Sequence, residues 1–295
     1  MTLYSKQYAD ALPKFDRGVS LVSWAYNEEI LIEGFLRRAD AMLSSSVEDY
    51  EIVVVDDGSK DRTPEILARL SAELPRLRVV TNEVNRNVGY SSRRAVASAT
   101  KEYLFWQTVD WSYDITLLRI FLEFLKTCDV VAGVRRAPVT VRLGLFKPLA
   151  LLLKLFGIKH LTRRSDTVPK ALVSVINYSL IRVLYGLPLS DYQNVVFYPS
   201  RLIQPIIATA EADSSFANPE LLYKAFMSGA SLVEVPINFI PREAGEAKGT
   251  RLKALRASLK DVFKFWWAWR VLGKVKKAPG GRVIRLDPAQ WETPQ

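Results

Sequence analysis

The stretch that most constrains the fold is Glu51–Arg62, with the sequence EIVVVDDGSKDR. Its β-branched run, Ile52–Val55, is typical of a strand that is buried on both faces of a parallel sheet. The run stops at two aspartates, and Thr63-Pro64 then begins a helix. Because open α/β sheets bind ligands at the carboxyl ends of their strands, we expect the aspartates to line a binding crevice. The alternative is a hydrated β-turn in which Asp and Gly serve turn geometry alone.

The first half of the chain alternates between strand-like and helix-like segments. Apolar runs at Val19–Trp24, Leu77–Val80, Tyr103–Val109 and Val130–Val134 indicate further strands, and residues at helical spacing lie between them. This alternation predicts a doubly wound, mainly parallel α/β sheet. The polar residues that follow the strands then meet at one edge of the sheet. They are Tyr26, Glu28, Asp57, Asn87 and Asp110.

The charge of the chain indicates a polyanionic partner. The net charge is +10 and the isoelectric point is near 9.6, which suits nucleic acid, anionic lipid or a phosphorylated small molecule. The basic residues cluster beside apolar and Trp positions rather than along an aromatic groove, so nucleic acid is the least favoured partner. One histidine, His160, and one cysteine, Cys128, argue against histidine-based catalysis and a disulfide framework.

The order of the motifs resembles that of glycosyltransferase family 2. YNEE, VVDDGSKDRT and NVGYSSRRA are followed by a strand with an acidic end, then by Asp191-Tyr192-Gln193, Asn218-Pro219-Glu220 and Arg242–Lys248. The similarity is closest to the branch of dolichyl-phosphate mannose synthases and polyprenyl-phosphate glycosyltransferases. It implies a GT-A fold, which is a Rossmann-like α/β sheet, with peripheral amphipathic helices. It also implies inverting transfer of a sugar from a nucleotide-sugar donor to a polyprenyl-phosphate-like lipid.

The resemblance implies one catalytic domain over residues 1–248. Residues 19–134 would form the nucleotide-sugar half and residues 135–248 the acceptor half. Within the second half, the apolar run Leu143–Ile158 is predicted to be an inserted helix. Sixteen helical residues extend only about 24 Å, which is shorter than the hydrocarbon core of a bilayer. We therefore expect this helix to lie at a membrane interface or on the sheet.

The resemblance implies that the residues at the strand ends bind the donor. Asp57 would contact the nucleotide base, and Asp110 would coordinate a Mg²⁺ or Mn²⁺ ion. Oxygen ligands of this kind suit both metals. The D-x-D motif of the family appears here as Thr108-Val109-Asp110, so Thr108 replaces its first acid. The donor would carry UDP, GDP or dTDP. The predicted nucleotide-sugar-binding residues are Ala25, Tyr26, Glu28, Asp57, Asn87, Thr108 and Asp110.

The resemblance also implies a cationic pocket for the acceptor phosphate. Its predicted members are Arg135, Lys170, Ser174, Arg242 and Lys248. The predicted catalytic residues are Asp110, Asp191 and Arg242. If the acceptor is a phosphate, Asp191 orients other groups. If it is a hydroxyl of a glycan or small molecule, Asp191 is the candidate general base. A third alternative is a non-catalytic protein that binds sugar nucleotides, because the metal motif is altered.

The C-terminal segment predicts a helix on a membrane surface. Between Arg251 and Lys277 there are nine basic residues and one acid. The apolar stripe consists of Leu252, Leu255, Leu259, Val262, Trp266 and Trp269. This pattern predicts a basic amphipathic helix over residues 249–277 that holds a cytoplasmic protein on the anionic inner face of the membrane. The alternative is a helix that docks on the core. Residues 278–295 are expected to be a loosely held tail.

Overall fold

The computed structural model describes residues 4–135, 168–192, 194–238, 240 and 252–286, and only the backbone of residues 168–175, 252 and 253. Within those residues eight strands form one sheet. They are β1 (Val19–Ala25), β2 (Tyr50–Asp56), β3 (Leu77–Thr81), β4 (Tyr103–Trp106), β5 (Val130–Arg135), β6 (Val196–Pro199), β7 (Ser231–Ile237) and β8 (Arg282–Arg285). Their order across the sheet is β3-β2-β1-β4-β6-β5-β7-β8.

Helices cover both faces of this sheet. They are α1 (Lys6–Ala11), α2 (Ile32–Ser46), α3 (Thr63–Glu73), α4 (Asn87–Ser98), α5 (Leu118–Phe124), α6 (Val168–Tyr185), α7 (Ser200–Ile207), α8 (Ala217–Met227) and α9 (Leu252–Trp266). Helices α1, α2, α3 and α5 contribute to one apolar core. Helices α4 and α6 to α9 contribute to the other core. The predicted doubly wound α/β fold is therefore confirmed.

The second strand, β2, shows why the sequence specifies this architecture. All seven of its residues are buried. Ile52 and Val54 point into one core, and Val53 and Val55 point into the other. The four β-branched residues Ile52–Val55 suit a strand with apolar layers on both sides.

One strand reverses direction in the described sheet. Strand β6 runs antiparallel to both β4 and β5, whereas the other described pairs are parallel. The carboxyl ends of β1, β2, β4, β5 and β7 therefore lie along one edge. The predicted site residues at the ends of β1, β2, β4 and β5 belong to this edge.

The apolar stripe predicted for the C-terminal helix is only partly correct. Val262, Phe265 and Trp269 are buried, with at most 6% exposure, and pack in the core below α9. The ring of Trp269 stacks on that of Tyr223 at 5.3 Å. Because an aromatic core cluster covers this face of α9, Val262 and Trp269 do not face solvent. Helix α9 ends at Trp266, and a π-helical turn covers Trp267–Val271.

The expected tail is also partly ordered. Arg282–Arg285 forms β8, which extends the sheet beside β7 in parallel register. The amide of Ala278 donates a hydrogen bond of 2.7 Å to the carbonyl of Met227. Because an edge strand offers unpaired backbone groups, β7 can accept one more strand from this segment. Residues 287–295 and the predicted inserted helix 143–158 lie outside the described residues.

No helix in the described part of the chain combines the length and the apolar character needed to cross a bilayer.

Candidate active site

Two loops at the carboxyl edge of the sheet are fastened together by side chain to backbone hydrogen bonds. Asn27, which follows β1, accepts a bond from the amide of Lys60 at 2.8 Å, and its own amide donates to Ser59 at 3.0 Å. The amide of Glu28 donates to the hydroxyl of Thr63 at 2.9 Å. These bonds hold the loop that carries Tyr26 against the loop that follows β2. Ala25, Tyr26 and Glu28 therefore lie where the donor site is predicted.

Asp57 connects the ends of β2 and β3. Its amide donates to the carbonyl of Ala25 at 2.8 Å. Its Oδ1 accepts hydrogen bonds from the Nδ2 of Asn82 and from the amide of Arg86, both at 2.8 Å. Among the described residues no hydrogen bond reaches Oδ2. Asn87, with a φ of 70°, follows directly and begins α4. The loop after β2, which carries Asp57, is therefore bonded to the loop after β3, which leads into Asn87.

Asp110 lies in a tight turn after β4. Its Oδ1 accepts a hydrogen bond of 2.7 Å from the hydroxyl of Ser112. Thr108 braces the same turn: its carbonyl accepts from the amide of Trp111 at 2.9 Å, and its hydroxyl accepts from the amide of Ser112 at 3.3 Å. The turn requires a φ of 53° at Trp111. Because the chain turns back at Thr108, β4 stops at Trp106 and does not reach the predicted end at Val109.

The described residues contain no group of three or more His, Cys, Asp or Glu side chains that could hold a metal ion. Asp110 is a half-buried carboxylate at a strand end. Mg²⁺ is commonly bound through one or two carboxylates together with the phosphates of a substrate. A single carboxylate is compatible with a metal that arrives with a diphosphate, and Asp110 as its protein ligand stays a prediction.

Arg135 and Asp191 form a buried bidentate ion pair. The Nε of Arg135 lies 2.8 Å from one carboxylate oxygen of Asp191, and its Nη2 lies 3.1 Å from the other. The side chains are 12% and 0% exposed. Burial lowers the pKa of Arg135, but the charge and hydrogen bonds of Asp191 raise it more strongly, so the guanidinium stays charged. Arg135, the predicted phosphate ligand, and Asp191, the predicted general base, are therefore paired with each other.

Tyr113 connects this ion pair with the turn of Asp110. Burial raises the pKa of Tyr113 to about 12; the charge of Arg135 opposes this rise, whereas the charges of Asp191 and Asp110 add to it. These charges act on the tyrosine only because they lie near it. The fold therefore brings together three predicted site residues that are separated by up to 81 positions in the chain.

Two predicted site residues lie on α6, whereas two others are not described. The backbone of Lys170 and Ser174 belongs to the first half of α6. Arg242 and Lys248 lie outside the described residues. The convergence of these four side chains with Arg135 on one phosphate stays a prediction.

The sequence did not assign a role to two residues that support the site. Gln107 is fully buried, donates to the carbonyl of Tyr113 at 2.7 Å and accepts from the amide of Thr108 at 3.0 Å. Asn218 donates to the carbonyls of Tyr192 at 2.9 Å and of Asn194 at 3.2 Å. The motif Asn218-Pro219-Glu220 is visible in the sequence, but its bonds to the Asp191 loop depend on tertiary contacts.

A family model and several known proteins match this chain. The model of "Glycosyl transferase family 2" matches residues 20–179, just over half of the chain. "Glycosyltransferase AglD" of Haloferax volcanii is 24% identical over 265 residues, which cover 88% of this chain and 38% of that protein. An undecaprenyl-phosphate 4-deoxy-4-formamido-L-arabinose transferase of Edwardsiella ictaluri is 47% identical over 74 residues, which cover 25% of this chain and 22% of that protein. The chain thus spans well under half the length of these two relatives.

Two solved structures share the fold. The mannosyltransferase PcManGT of Pyrobaculum calidifontis, in complex with GDP-Man and Mn²⁺, superposes with a TM-score of 0.54 at 16% identity, covering 92% of this chain and 71% of that one. Glucosyl-3-phosphoglycerate synthase of Mycobacterium tuberculosis, in complex with Mn²⁺, UDP and phosphoglyceric acid, gives a TM-score of 0.50 at 17% identity, covering 90% and 82%. At these identities the likeness concerns the fold, whereas the family model concerns the sequence. On that match the chain belongs to glycosyl transferase family 2.

Proposed function

We propose that this protein is an inverting glycosyltransferase that moves a sugar from a nucleotide-sugar donor to a polyprenyl-phosphate-like lipid at the inner face of the membrane. The observation that carries the proposal is the cluster of Asp110, Tyr113, Arg135 and Asp191 at the carboxyl edge of the sheet, which is also the edge that carries the Asp57 loop. A donor side and an acceptor side would then lie along the same edge. Relatives whose names include undecaprenyl phosphate support the lipid class of the acceptor.

The donor side would bind the nucleotide through the two fastened loops. Oδ1 of Asp57 is held by Asn82 and Arg86, so Oδ2 is the oxygen that would accept a hydrogen bond from a base edge. Tyr26 and Glu28 would line the base and the ribose. Asp110 would hold Mg²⁺ or Mn²⁺ against the diphosphate, and the bound ion would stabilise the negative charge of the leaving group. The two structural neighbours bound to Mn²⁺ support this class of metal.

On the acceptor side, Arg135 would contact the phosphate of the lipid. A guanidinium binds phosphate oxygens through a planar fork of donors. An oxygen of this phosphate would attack the anomeric carbon from the face opposite the departing diphosphate, which inverts the configuration. Lys170, Ser174, Arg242 and Lys248 are proposed to complete the phosphate pocket.

The ion pair of Asp191 favours an acceptor that is already ionised. A general base must reach the proton that it removes, but Asp191 is fully buried and both of its oxygens face Arg135. A phosphate needs no base, because it is an anion at neutral pH. Transfer to a hydroxyl would require the ion pair to open first. The geometry therefore supports the lipid phosphate over the glycan hydroxyl and gives Asp191 a positioning role.

A surface formed by α6, α9 and the π-helical turn after α9 is proposed to hold the enzyme on the membrane. We call it the docking surface, and its members are exposed by 39–57%. They are Ile176, Val183, Leu259, Phe263, Trp267, Val271 and Leu272. The hydroxyl of Tyr185 on α6 donates to the carbonyl of Val262 on α9 at 2.5 Å, so the two helices lie side by side.

Charge around the docking surface favours anionic lipid. Exposed basic residues surround it: Arg256, Lys260, Lys264, Arg270, Lys274, Lys276 and Lys277. Apolar side chains sink into the headgroup region, and each nearby cation adds on the order of 1 kcal/mol on an anionic membrane. The docking surface thus replaces the stripe that the sequence predicted.

A transfer screen tests the proposed reaction. The purified protein is incubated with polyprenyl phosphate, Mg²⁺ or Mn²⁺, and UDP-, GDP- or dTDP-sugars, and the glycosylated lipid is measured by mass spectrometry. We expect transfer from at least one donor with polyprenyl phosphate, and none with the same lipid ending in a hydroxyl. If only the hydroxyl lipid is glycosylated, the acceptor class is wrong. If donors bind without any turnover, the non-catalytic alternative is supported.

A further inference from the structure

Glu234 is a buried carboxylate that the sequence analysis did not place in the donor or acceptor site. It lies in the middle of β7, and its side chain is 5% exposed. Its oxygens accept hydrogen bonds from the amide of Ser190 and, at 2.8 Å, from the hydroxyl of Ser190. Because a buried charge is costly unless it is paired, this position needs a counter-charge.

The counter-charge comes from the last described strand. In the register of β7 and β8, Arg285 is the partner of Glu234. The Nε of Arg285 lies 2.9 Å from an oxygen of Glu234, and its Nη2 donates to the carbonyl of Pro188. Arg285 thus touches both the buried carboxylate and the loop that it holds. Strand β8 lies outside the residues matched by the family model, which end at residue 179.

The loop held in this way carries Asp191. Ser190 is fixed by Glu234 on one side of Asp191, and Asn218 holds the carbonyls of Tyr192 and Asn194 on the other side. Asp191 in turn binds the guanidinium of Arg135. A continuous chain of polar contacts therefore connects Arg285 at the sheet edge with Arg135 in the crevice.

We propose that Arg285 is a positioning residue for the acceptor site, acting through Glu234 and Ser190 on Asp191 and Arg135. This inference rests on the proposed function for its effect on the acceptor. Without Arg285, the Glu234 carboxylate loses its counter-charge, and the Ser190 loop loses the bond to the carbonyl of Pro188. Asp191 then no longer orients Arg135 toward an incoming phosphate. Among the described residues the Asp57 loop has no hydrogen bond to this chain of contacts, so binding of the nucleotide is expected to change little.

The kinetic test compares two arginines of the same strand. Arg285→Ala is expected to raise the KM for polyprenyl phosphate by about tenfold, which is the loss expected for one charge-assisted hydrogen bond, while donor hydrolysis stays within about twofold. Arg282→Ala is the matched control, since Arg282 is exposed on β8 and its side chain forms no hydrogen bond or ion pair with the described residues. Arg285→Lys restores the charge and is expected to recover part of the loss. Equal KM values for Arg285→Ala and Arg282→Ala overturn the proposal.

A double-mutant cycle tests the route of the effect. Glu234→Gln removes the buried charge and keeps the shape of the side chain, so Arg285→Ala in this background is expected to change the acceptor KM by less than about twofold. If the two substitutions instead add independently, Arg285 does not act through Glu234, and the proposed route is wrong. If Arg285→Ala alone does not fold, Arg285→Gln takes its place in the cycle.

Carboxyl labelling gives a readout that does not need turnover. Asp191 is fully buried, so a water-soluble carbodiimide with an amine nucleophile is expected to leave it unmodified in the wild type and in Arg282→Ala. In folded Arg285→Ala we expect Asp191 to be labelled several-fold faster. Equal protection in all three proteins overturns the positioning role. If the wild type transfers no sugar to lipid, the proposed function fails, whereas the labelling still decides whether Arg285 holds Asp191.

Discussion

At the scale of single residues, the altered metal motif acquires a structural explanation. Thr108 lies at the position of the first acid in the D-x-D motif that the sequence analysis compared with this chain. Its carbonyl and its hydroxyl both accept hydrogen bonds that close the turn containing Asp110. A threonine hydroxyl can accept the amide of Ser112 as an aspartate oxygen would. The substitution therefore keeps the turn and removes one charge. Asp110 is left as the carboxylate that would meet a metal and a diphosphate.

Replacing Asp110 tests its role as the metal ligand. Asp110→Asn is expected to weaken Mn²⁺-dependent binding of the donor nucleotide by at least about tenfold, because the neutral amide loses the charge that holds the ion. Calorimetric titration with the nucleotide, with and without chelator, measures this effect. Asp114→Asn is the control: Asp114 accepts from Thr116 and Asn238, so its role in this turn is structural. A chelator effect in Asp110→Asn as large as in the wild type would contradict the assignment.

At the scale of elements, α9 separates two roles that its sequence mixes. Val262, Phe265 and Trp269 form its inner face and pack in the core. Leu259 and Phe263 on α9 and Trp267 in the turn after it follow one another at intervals of four and are exposed. The sequence contains more apolar residues than one face of a helix can hold, so a stripe read from spacing alone combined members of both faces. Only the apolar residues that the fold leaves exposed can contact a membrane.

The docking surface can be tested against exposed apolar residues elsewhere. The double variant Phe263→Ser with Trp267→Ser is expected to lose about 3 kcal/mol or more of membrane affinity, over a hundredfold, because two large apolar side chains no longer enter the lipid. Co-sedimentation with phosphatidylglycerol vesicles measures it. Ile30→Ser with Val84→Ser is the matched control, since these side chains are 71% and 53% exposed outside the docking surface.

Salt dependence separates the two contributions to membrane binding. Binding of the wild type is expected to fall as salt rises, since exposed charges are screened, and to be weak on neutral vesicles. The double variant should be released even at low salt. If both double variants sediment like the wild type, the docking surface is not the membrane contact.

At the scale of the whole molecule, a buried acid at the opposite end of the sheet connects several elements. Glu51 at the start of β2 accepts from the hydroxyl of Ser20 at 2.7 Å, the amide of Thr100 at 2.6 Å and the guanidinium of Arg78 at 2.9 Å. Burial raises the pKa of Glu51, but these hydrogen bonds together lower it below its usual value. Glu51 thus joins β1, β3 and the turn before β4.

The lowered pKa of Glu51 predicts a loss of stability in acid. A carboxyl group whose pKa is lower in the folded than in the unfolded chain contributes stability above the unfolded pKa, and this contribution disappears as the pH falls through the folded pKa. We expect Glu51→Gln to reduce the free energy of unfolding at pH 7 by about 1–3 kcal/mol. The difference from the wild type should shrink below about pH 4.

Urea unfolding at pH 7, 5 and 3.5 measures this dependence. Glu65→Gln is the control, because Glu65 lies in an exposed ion pair with Arg62, and such pairs contribute little to stability. A difference between wild type and Glu51→Gln that stays constant from pH 7 to 3.5 would show that the ionised carboxylate is not what stabilises the fold.

The sequence by itself determined the alternation of strands and helices, the carboxyl edge and the positions of Asp57 and Asp110. These features depend on local patterns: a β-branched run such as Ile52–Val55 has few places other than the centre of a sheet, and a polar loop must follow it. The same local reasoning could not identify β8, because Arg282–Arg285 becomes a strand only where β7 offers an open edge.

Only the tertiary structure decided which charges meet. Arg135 and Asp191 are 56 positions apart, and nothing near either residue in the sequence indicates that they pair in a buried site. The pairing of Arg285 with Glu234 is likewise not visible in the sequence. Nor does the sequence show which apolar residues of α9 are buried and which are exposed. Burial and pairing of charges depend on which elements come together, whereas strands and turns depend on neighbours in the chain. For this reason the sequence located the carboxyl edge of the sheet, and the packing determined how the side chains there are held.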